Sequence, residues 1–399
     1  MDLMDNRIRA YPWGSRTAVA ELLGEPSPSP HPQAELWIGA HPGDSSRITG
    51  PDGSKVALSD LIAADPVGTL GATAAGEFGP RLPFLLKVLA AAQPLSLQAH
   101  PSLDQAKAGF AAEERAGVAL TAPSRNYKDQ SDKPELICAL TELHALCGFR
   151  APAVTVRLLE ELNVPALQHY SGLLSGQPDA NGIRALFSTL MMIPTVALRS
   201  LQESVLEACV ERIRAGSEFS LEYRTTLELG ERYPGDSGVL ASMLLNRVTL
   251  APFQGLFLPA GNLHAYLSGV GVEIQANSDN VLRCGLTPKY ADVPELMRVL
   301  DFGNTDIPVL DGSVDEQGRH VFDPPIKAFR LTRFDLEGHD FTLTHDGPQV
   351  VLVTEGCAVL HGPDGDLAVA RGRSAWLSPS DSGTRLTGTG TAFLATDGL

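Results

Sequence analysis

Short apolar runs separated by turn-forming clusters dominate the first part of the chain. "AELWIGAHPG", "LPFLLKVLA", "PLSLQAHP" and "ELICALTELHALCGF" carry strand-like patterns, and "GEPSPSPHPQ" reads as a loop. From Ala151 to about Leu245 the pattern changes. In "PAVTVRLLEELN", "NGIRALFSTLMM" and "LQESVLEACVERIRAG" apolar residues recur every three or four positions, which predicts helices. Strand patterns return in "RVTLAPFQGLFLPAGNLHAYL", "GVGVEIQANSDN" and "VLRCGL", and "VPELMRVLDF" predicts a short helix. The last stretch alternates apolar segments with Gly, Pro and Asp turns, as in "GPQVVLVTEGCAVLHGPDGDLAVARGRSAWLSPSD", and predicts a small β-sandwich or barrel. No repeat of fixed period is present. The expected organisation is a mainly β protein with an α-helical insertion: a β-region from residues 1–150 and 246–312, a helical domain over 151–245, and a β-domain over 313–399.

Composition narrows the function classes. A 399-residue chain with 43% hydrophobic and 20% charged residues has room for two or three domains and a substantial core. Its formal charge of -16 and pI near 5.0 argue against a nucleic-acid or anionic-membrane binder, which needs a broad basic face. An anionic small molecule still fits if a few Lys or Arg gather locally. "MDLMDNRIRAYPWG" lacks the apolar core of a signal peptide, and no run approaches the ~18 apolar residues of a membrane span, so a cytoplasmic location is expected. The five cysteines (Cys138, Cys147, Cys209, Cys284, Cys357) are scattered, without a Cys-x-x-Cys pair, and read as reduced, mostly buried thiols.

The candidate chemistry lies in polar residues set into apolar surroundings. On a strand through "PLSLQAHPS", Ser96, Gln98 and His100 share one face. In "LFLPAGNLHAYLSG" a Pro-x-Gly-x-x-His turn built on Pro259 and Gly261 delivers His264, as in jelly-roll barrels of the cupin type. "DKPEL" adds Glu135. Two imidazoles, a carboxylate and an amide oxygen suit a divalent, zinc-like ion left open to water or substrate, since thiolates are absent from the set. The remaining histidines, His41, His144 and His169 among them, read as ordinary core or surface residues. There is no Walker loop, no His-Glu-x-x-His and no Gly-x-Ser-x-Gly.

Several longer motifs carry a family resemblance: "YPWGS", "AELWIGAHP", "LSLQAHP", "NYKD" with "DKPEL", "LPAGNLHAYL", "GVEIQANSDNVLRCGLTPKY" and "DVPELMRVL". In this order, from Tyr11 to about Phe302, the chain resembles the type I mannose-6-phosphate isomerase family; the last ~95 residues resemble it loosely. The resemblance implies two cupin-like jelly-roll β-domains with a helical domain inserted. It implies an aldose-ketose isomerase that interconverts mannose 6-phosphate and fructose 6-phosphate, with one Zn²⁺ per chain, a phosphosugar as partner, and a monomer as the expected state. The family's zinc ligands fall on Gln98, His100, Glu135 and His264, and its catalytic arginine on Arg283.

Moving a proton between adjacent carbons through an enediol needs an electrophile near the oxygens and a base near the carbons. Zn²⁺ and the permanently charged Arg283 fit the first need. For the second, "VEIQANSD" sets Glu273 and Gln275 on one strand face and Asp279 on the following turn. Glu273 is the first choice as base, against the reading of a carboxylate that holds Arg283 or a zinc ligand in place. Lys133 is assigned to substrate oxygens or a proton relay. Family pattern and local chemistry assign the phosphate to Ser96 and Lys289, with Arg283 near. Trp13 either walls the sugar or packs the core. One departure stands out: where the family has Asn-His before Lys-Pro-Glu, this chain has Ser131 and Asp132, which leaves the ring-opening group unassigned. A non-catalytic sugar- or metal-binding cupin is the alternative, although it has no reason to keep Arg283, Lys133 and Glu273 together. A mononuclear iron dioxygenase is disfavoured by Gln98 as a fourth ligand.

Overall fold

The strand His264–Ala276 organises the first β-region. Its beginning pairs antiparallel with Leu143–Phe149 and, at His264, with Gln98 of the short strand Leu97–Ala99. Its second half runs between Phe84–Ala91 and Glu135–Ala139. The changeover needs glycine: Gly269 has φ +120°, and a Cβ there would lie 2.7 Å from both the Glu142 carbonyl oxygen and Leu143 Cα. With the register shift between Tyr266 and Ser268, this lets one strand serve both layers of a barrel. The chain is seen here as a computed structural model that describes residues 1–49, 53–303 and 307–399.

Arg47–Thr49 pairs with Lys55–Ala57 in a separate two-stranded sheet, and eleven described strands of this region form one larger sheet. Its main path runs Val309–Leu310, Gly255–Leu258, Glu135–Ala139, His264–Ala276, Phe84–Ala91, Glu35–Ile38, Arg7–Arg9. Phe84–Ala91 is buried along its whole length, which explains its continuous apolar reading. Phe84, Leu86, Val88 and Ala90 face the C-terminal sheet, while Leu89 and Ala91 face the barrel interior. Lys87 shares the parity of the second set, so it projects inward.

The C-terminal sheet has nine strands, in the order Asp2–Met4, Ser374–Leu377, Gln349–Gly362, Thr384–Thr396, Arg330–Asp335, His320–Phe322, Ser313–Val314, with Phe341–Leu343 and Gly365–Ala370 pairing off this path. The first strand of the chain therefore completes the last sheet. Phe322, Phe329, Val350, Leu352, Trp376 and Phe393 pack into one core with Leu36, Leu86, Val88, Val272 and Ile274. Between the two sequence halves of the first β-region lie the helices Pro152–Glu161, Pro165–Gly176, Ala180–Met191, Thr195–Arg214, Ser220–Arg232 and Gly238–Ser242. Pro152 and Pro165 open their helices where no N–H partner is needed, and Asp179 caps its helix by accepting the amides of Asn181 and Gly182. Leu158, Phe187, Val205 and Tyr223 pack against Leu97, Ala99, Phe149 and Leu282, so the helices brace the strands that carry Gln98 and Arg283.

The expected mainly β, cupin-like architecture with a helical part is the one observed, and "VPELMRVLDF" does contain a helix, Val293–Val299. The reading of the first 150 residues as β texture needs correction. Helices Ala18–Leu23, Leu58–Ala64, Pro66–Leu70, Ala72–Phe78 and Leu103–Arg115 lie there. The middle three are short and punctuated by Pro66 and Gly71, which hides their periodicity. The last carried a visible signal, the Ser102 and Gln105 capping box. Four cysteines are buried and Cys357 is exposed. Among the described residues no single helix is long and apolar enough to cross a membrane.

Candidate active site

Strand geometry brings three of the four expected ligands into one buried cluster. Gln98 and His264 are paired across adjacent strands, and the Gln98 amide nitrogen lies 3.4 Å from His264 Nε2, so a half-turn of the amide presents its oxygen there. Glu135 enters from the far side, with Oε1 at 3.3 Å from His100 Nε2 and Oε2 at 3.3 Å from His264 Nε2. Ligand atoms of His100, Glu135 and His264 all lie within 4.8 Å of one another. His100 follows the strand Leu97–Ala99, and its carbonyl accepts the amide of Gly261 from the Pro259–His264 turn, which ties the two ligand segments together.

Both imidazoles are oriented from behind. His100 Nδ1 lies 2.7 Å from the Asn280 carbonyl oxygen and His264 Nδ1 lies 3.0 Å from that of Asn262, so each ring carries its proton there and turns a bare Nε2 inward. His100 Nε2 is buried and has no hydrogen-bond partner. An unpartnered imidazole nitrogen beside a carboxylate is the chemistry a divalent ion satisfies, and the N and O donors suit zinc. Burial pushes His100 down to about 4, against the pull of Glu135. Burial also disfavours charge on Glu135, yet Lys133 and then His100 hold it well below the usual carboxylate range. Lys133 Nζ lies 3.0 Å from Glu135 Oε1.

Glu273 and Gln275 do share a face, and both reach a residue that the sequence reading passed over. Lys87 Nζ donates to Glu273 Oε2 at 3.0 Å and Gln275 Oε1 at 2.7 Å, with Glu35 Oε1 at 3.5 Å. Burial raises the Glu273 carboxyl, with Lys87 opposing. Burial acts to lower Lys87, but Glu273 and Glu35 outweigh it and the ammonium stays charged. Among the described residues Glu273 is ion-paired with Lys87, and no ion pair joins it to Arg283 or to a metal ligand. The signal was a lysine inside the buried run "LPFLLKVLA".

Arg283 pairs with Gln98 across neighbouring strands, and no hydrogen bond or ion pair ties up its guanidinium among the described residues. Ser96 precedes Leu97, which pairs with Gly285. Lys289 is exposed, and burial and then the charge of Arg283 lower its pKa, so two cations stand close together here. Trp13 stacks on Tyr11 with ring centroids 5.6 Å apart and also packs against the barrel core. Asp279 is bound to His41 Nε2 at 3.3 Å, and that contact holds its carboxyl low, with Lys133 and Lys87 adding to the effect. Asp132 differs: burial raises it, and the charges that act on it are Arg81, Asp129 and Lys107, none of them in the ligand cluster.

Known proteins match this arrangement closely. Residues 2–152 match the family model described as phosphomannose isomerase type I, catalytic domain. The chain is 39% identical over 393 residues to mannose-6-phosphate isomerase of Escherichia coli (strain K12), covering 98% of each chain. It is 32% identical over 383 residues to that of Homo sapiens, covering 89% of this chain and 88% of the relative. A crystal structure of mannose 6-phosphate isomerase (holo; zinc bound) superposes with a TM-score of 0.89 at 36% identity, over 100% of this chain and 99% of that one. A mutant of phosphomannose isomerase from Salmonella typhimurium superposes with a TM-score of 0.90 at 36% identity, over 100% of both chains. Full-length identity at this level, on the same fold and around the same kind of donor cluster, means that the chain belongs to the type I mannose-6-phosphate isomerase family.

Proposed function

We infer that this chain is a zinc-dependent aldose-ketose isomerase that interconverts mannose 6-phosphate and fructose 6-phosphate by proton transfer through an enediol. The observation that carries the reading is the buried His100, Glu135 and His264 cluster with an unpartnered imidazole nitrogen, in a chain aligned end to end with isomerases. Zinc held by Gln98, His100, Glu135 and His264 supplies a Lewis acid at the sugar oxygens.

The roles of this chain's own residues follow from charge and exposure. Isomerisation moves one proton from C2 to C1 and another between the two oxygens, so negative charge develops on the oxygens in the transition state. Arg283, with its guanidinium uncommitted, is placed to stabilise that charge. Glu273, raised by burial and linked to Lys87, is the proposed base for the carbon-bound proton, since a raised carboxyl is a stronger base than a free one. Lys133 sits beside Glu135 as a donor to substrate oxygens. Lys289 and Ser96 hold the phosphate, and Trp13 walls the sugar. Asp279, exposed on one side and held ionised, takes the anomeric proton in ring opening, while Asp132, its carboxyl raised by burial, is given no part in it.

In the same reading, residues 1–150 with 246–312 form the catalytic β-domain, 151–245 the helical domain and 313–399 a C-terminal β-domain. The separate interior cores of the two β-regions support this division, although the strand Asp2–Met4 crosses it. The test is an assay in which fructose 6-phosphate formed from mannose 6-phosphate is consumed by a coupling enzyme. Turnover that a chelator abolishes and Zn²⁺ restores is expected; a zinc-loaded protein without turnover would overturn the reading.

A further inference from the structure

Asp279 stands on the loop between the strands His264–Ala276 and Leu282–Gly285, and its side chain is 58% exposed. The main chain around it is locked. Its amide donates to Asp129 Oδ2 at 2.9 Å. The next residue, Asn280, is wholly buried: Nδ2 donates to the carbonyls of Asp129 and Ser131 at 2.9 and 2.8 Å, and Oδ1 accepts the amides of Lys128 and Asp129 at 2.6 and 3.2 Å. The Asn280 carbonyl in turn orients His100. What remains free at Asp279 is rotation of the carboxylate, and His41 takes up that freedom.

His41 is 4% exposed, on the turn after Glu35–Ile38, and its ring meets Trp37 edge-on at 4.7 Å between centroids. Nδ1 accepts the Gly43 amide at 3.0 Å, which leaves the ring proton on Nε2, facing Asp279 Oδ1. A buried imidazole therefore holds one oxygen of an exposed carboxylate from behind. The other oxygen is left for a ligand.

We propose that His41 is a positioning residue for ring opening: it fixes the Asp279 rotamer so that Oδ2 meets the anomeric hydroxyl of the cyclic phosphosugar. This rests on the assignment of Asp279 made above. In the step, Asp279 takes the proton from the anomeric oxygen, the carbonyl forms as the bond between C1 and the ring oxygen breaks, and the ring oxygen takes a proton from water. The protein supplies the imidazole from a segment far from Asp132 in sequence.

The two ring nitrogens can be removed separately. His41→Gln keeps a donor near Nε2 and loses the acceptor for Gly43; His41→Asn does the reverse. On the zinc-loaded full chain, NMR exchange between the anomers of mannose 6-phosphate reports ring opening, and deuterium uptake at C2 reports isomerisation. His41→Asn is expected to slow anomer exchange by roughly tenfold, the cost of a lost hydrogen bond to an ionised group, with His41→Gln close to the parent, and Asp279→Asn, which removes the base itself, by roughly 100-fold. The reverse order, Asn tolerated and Gln impaired, would make His41 a brace for the Gly43 turn and overturn the proposal. If Asp279→Asn left anomer exchange unchanged, the assignment of Asp279 itself would fall; slowing by Asp279→Asn with both His41 variants at parent rate would overturn the His41 role alone. A measurement without substitution gives a second check: ¹⁵N shifts of the His41 ring in the parent enzyme should report the Nε2–H form, and an Nδ1–H ring would overturn the proposal.

Discussion

At the scale of single residues, burial and partner choice decide which polar groups do chemistry. Arg283 is the sharpest case, since its guanidinium is half-buried and, among the described residues, uncommitted, while most other buried cations are paired. An interaction that forms mainly in the transition state lowers kcat and kcat/KM together, whereas one that only holds phosphate raises KM. Arg283→Ala is therefore expected to lower kcat by roughly 100-fold, the scale of one lost oxyanion contact, with zinc content unchanged. Steady-state kinetics with metal analysis checks it, and normal kcat with a raised KM would move Arg283 to phosphate recognition. His100, Glu135 and His264 were legible because strand alternation and turn motifs are local. Lys87 and His41 were not read as site residues, because their partners Glu273 and Asp279 lie 186 and 238 positions away (273 − 87 and 279 − 41).

At the scale of elements, the strand His264–Ala276 is the part on which the site depends. It carries His264 at one end and Glu273 near the other, and Gly269 makes the bend between them possible. Gly269→Ala forces a Cβ against the Glu142 carbonyl at a positive φ, and a cost of about 2 kcal/mol is expected. A urea titration followed by circular dichroism measures this as a lower midpoint with unchanged slope. Unchanged stability would mean that the strand can bend elsewhere. The long helices of residues 152–232 were readable because their periodicity runs over several turns; the short ones before residue 80 were not, because Pro and Gly interrupt them within a turn or two.

At the scale of the whole molecule, the two β-regions share a core rather than a linker. Trp376, 3% exposed, lies in one cluster with residues of both sheets, and its backbone pairs with Asp2 at the start of the chain. Trp376→Ala is expected to cost about 3–5 kcal/mol. Loss of activity and loss of near-ultraviolet dichroism should then shift together on denaturant titration. A C-terminal region that melts first and leaves isomerase activity intact would show that the shared core couples less than its composition implies.

The amino-acid sequence determined the strand and helix periods, the turn that carries His264, the donor types of a zinc-like site and, through its motifs, the family. These are local properties, written in neighbours within a few positions of each other. The tertiary structure decided what local pattern cannot carry: that Lys87 rather than Arg283 holds Glu273, that His41 stands behind Asp279, and that the first strand closes the last sheet. Each is a contact between segments far apart in sequence, and the Lys87–Glu273 pair shows the physical reason. A buried charge must find a partner, and which partner it finds depends on which distant strands come to lie side by side.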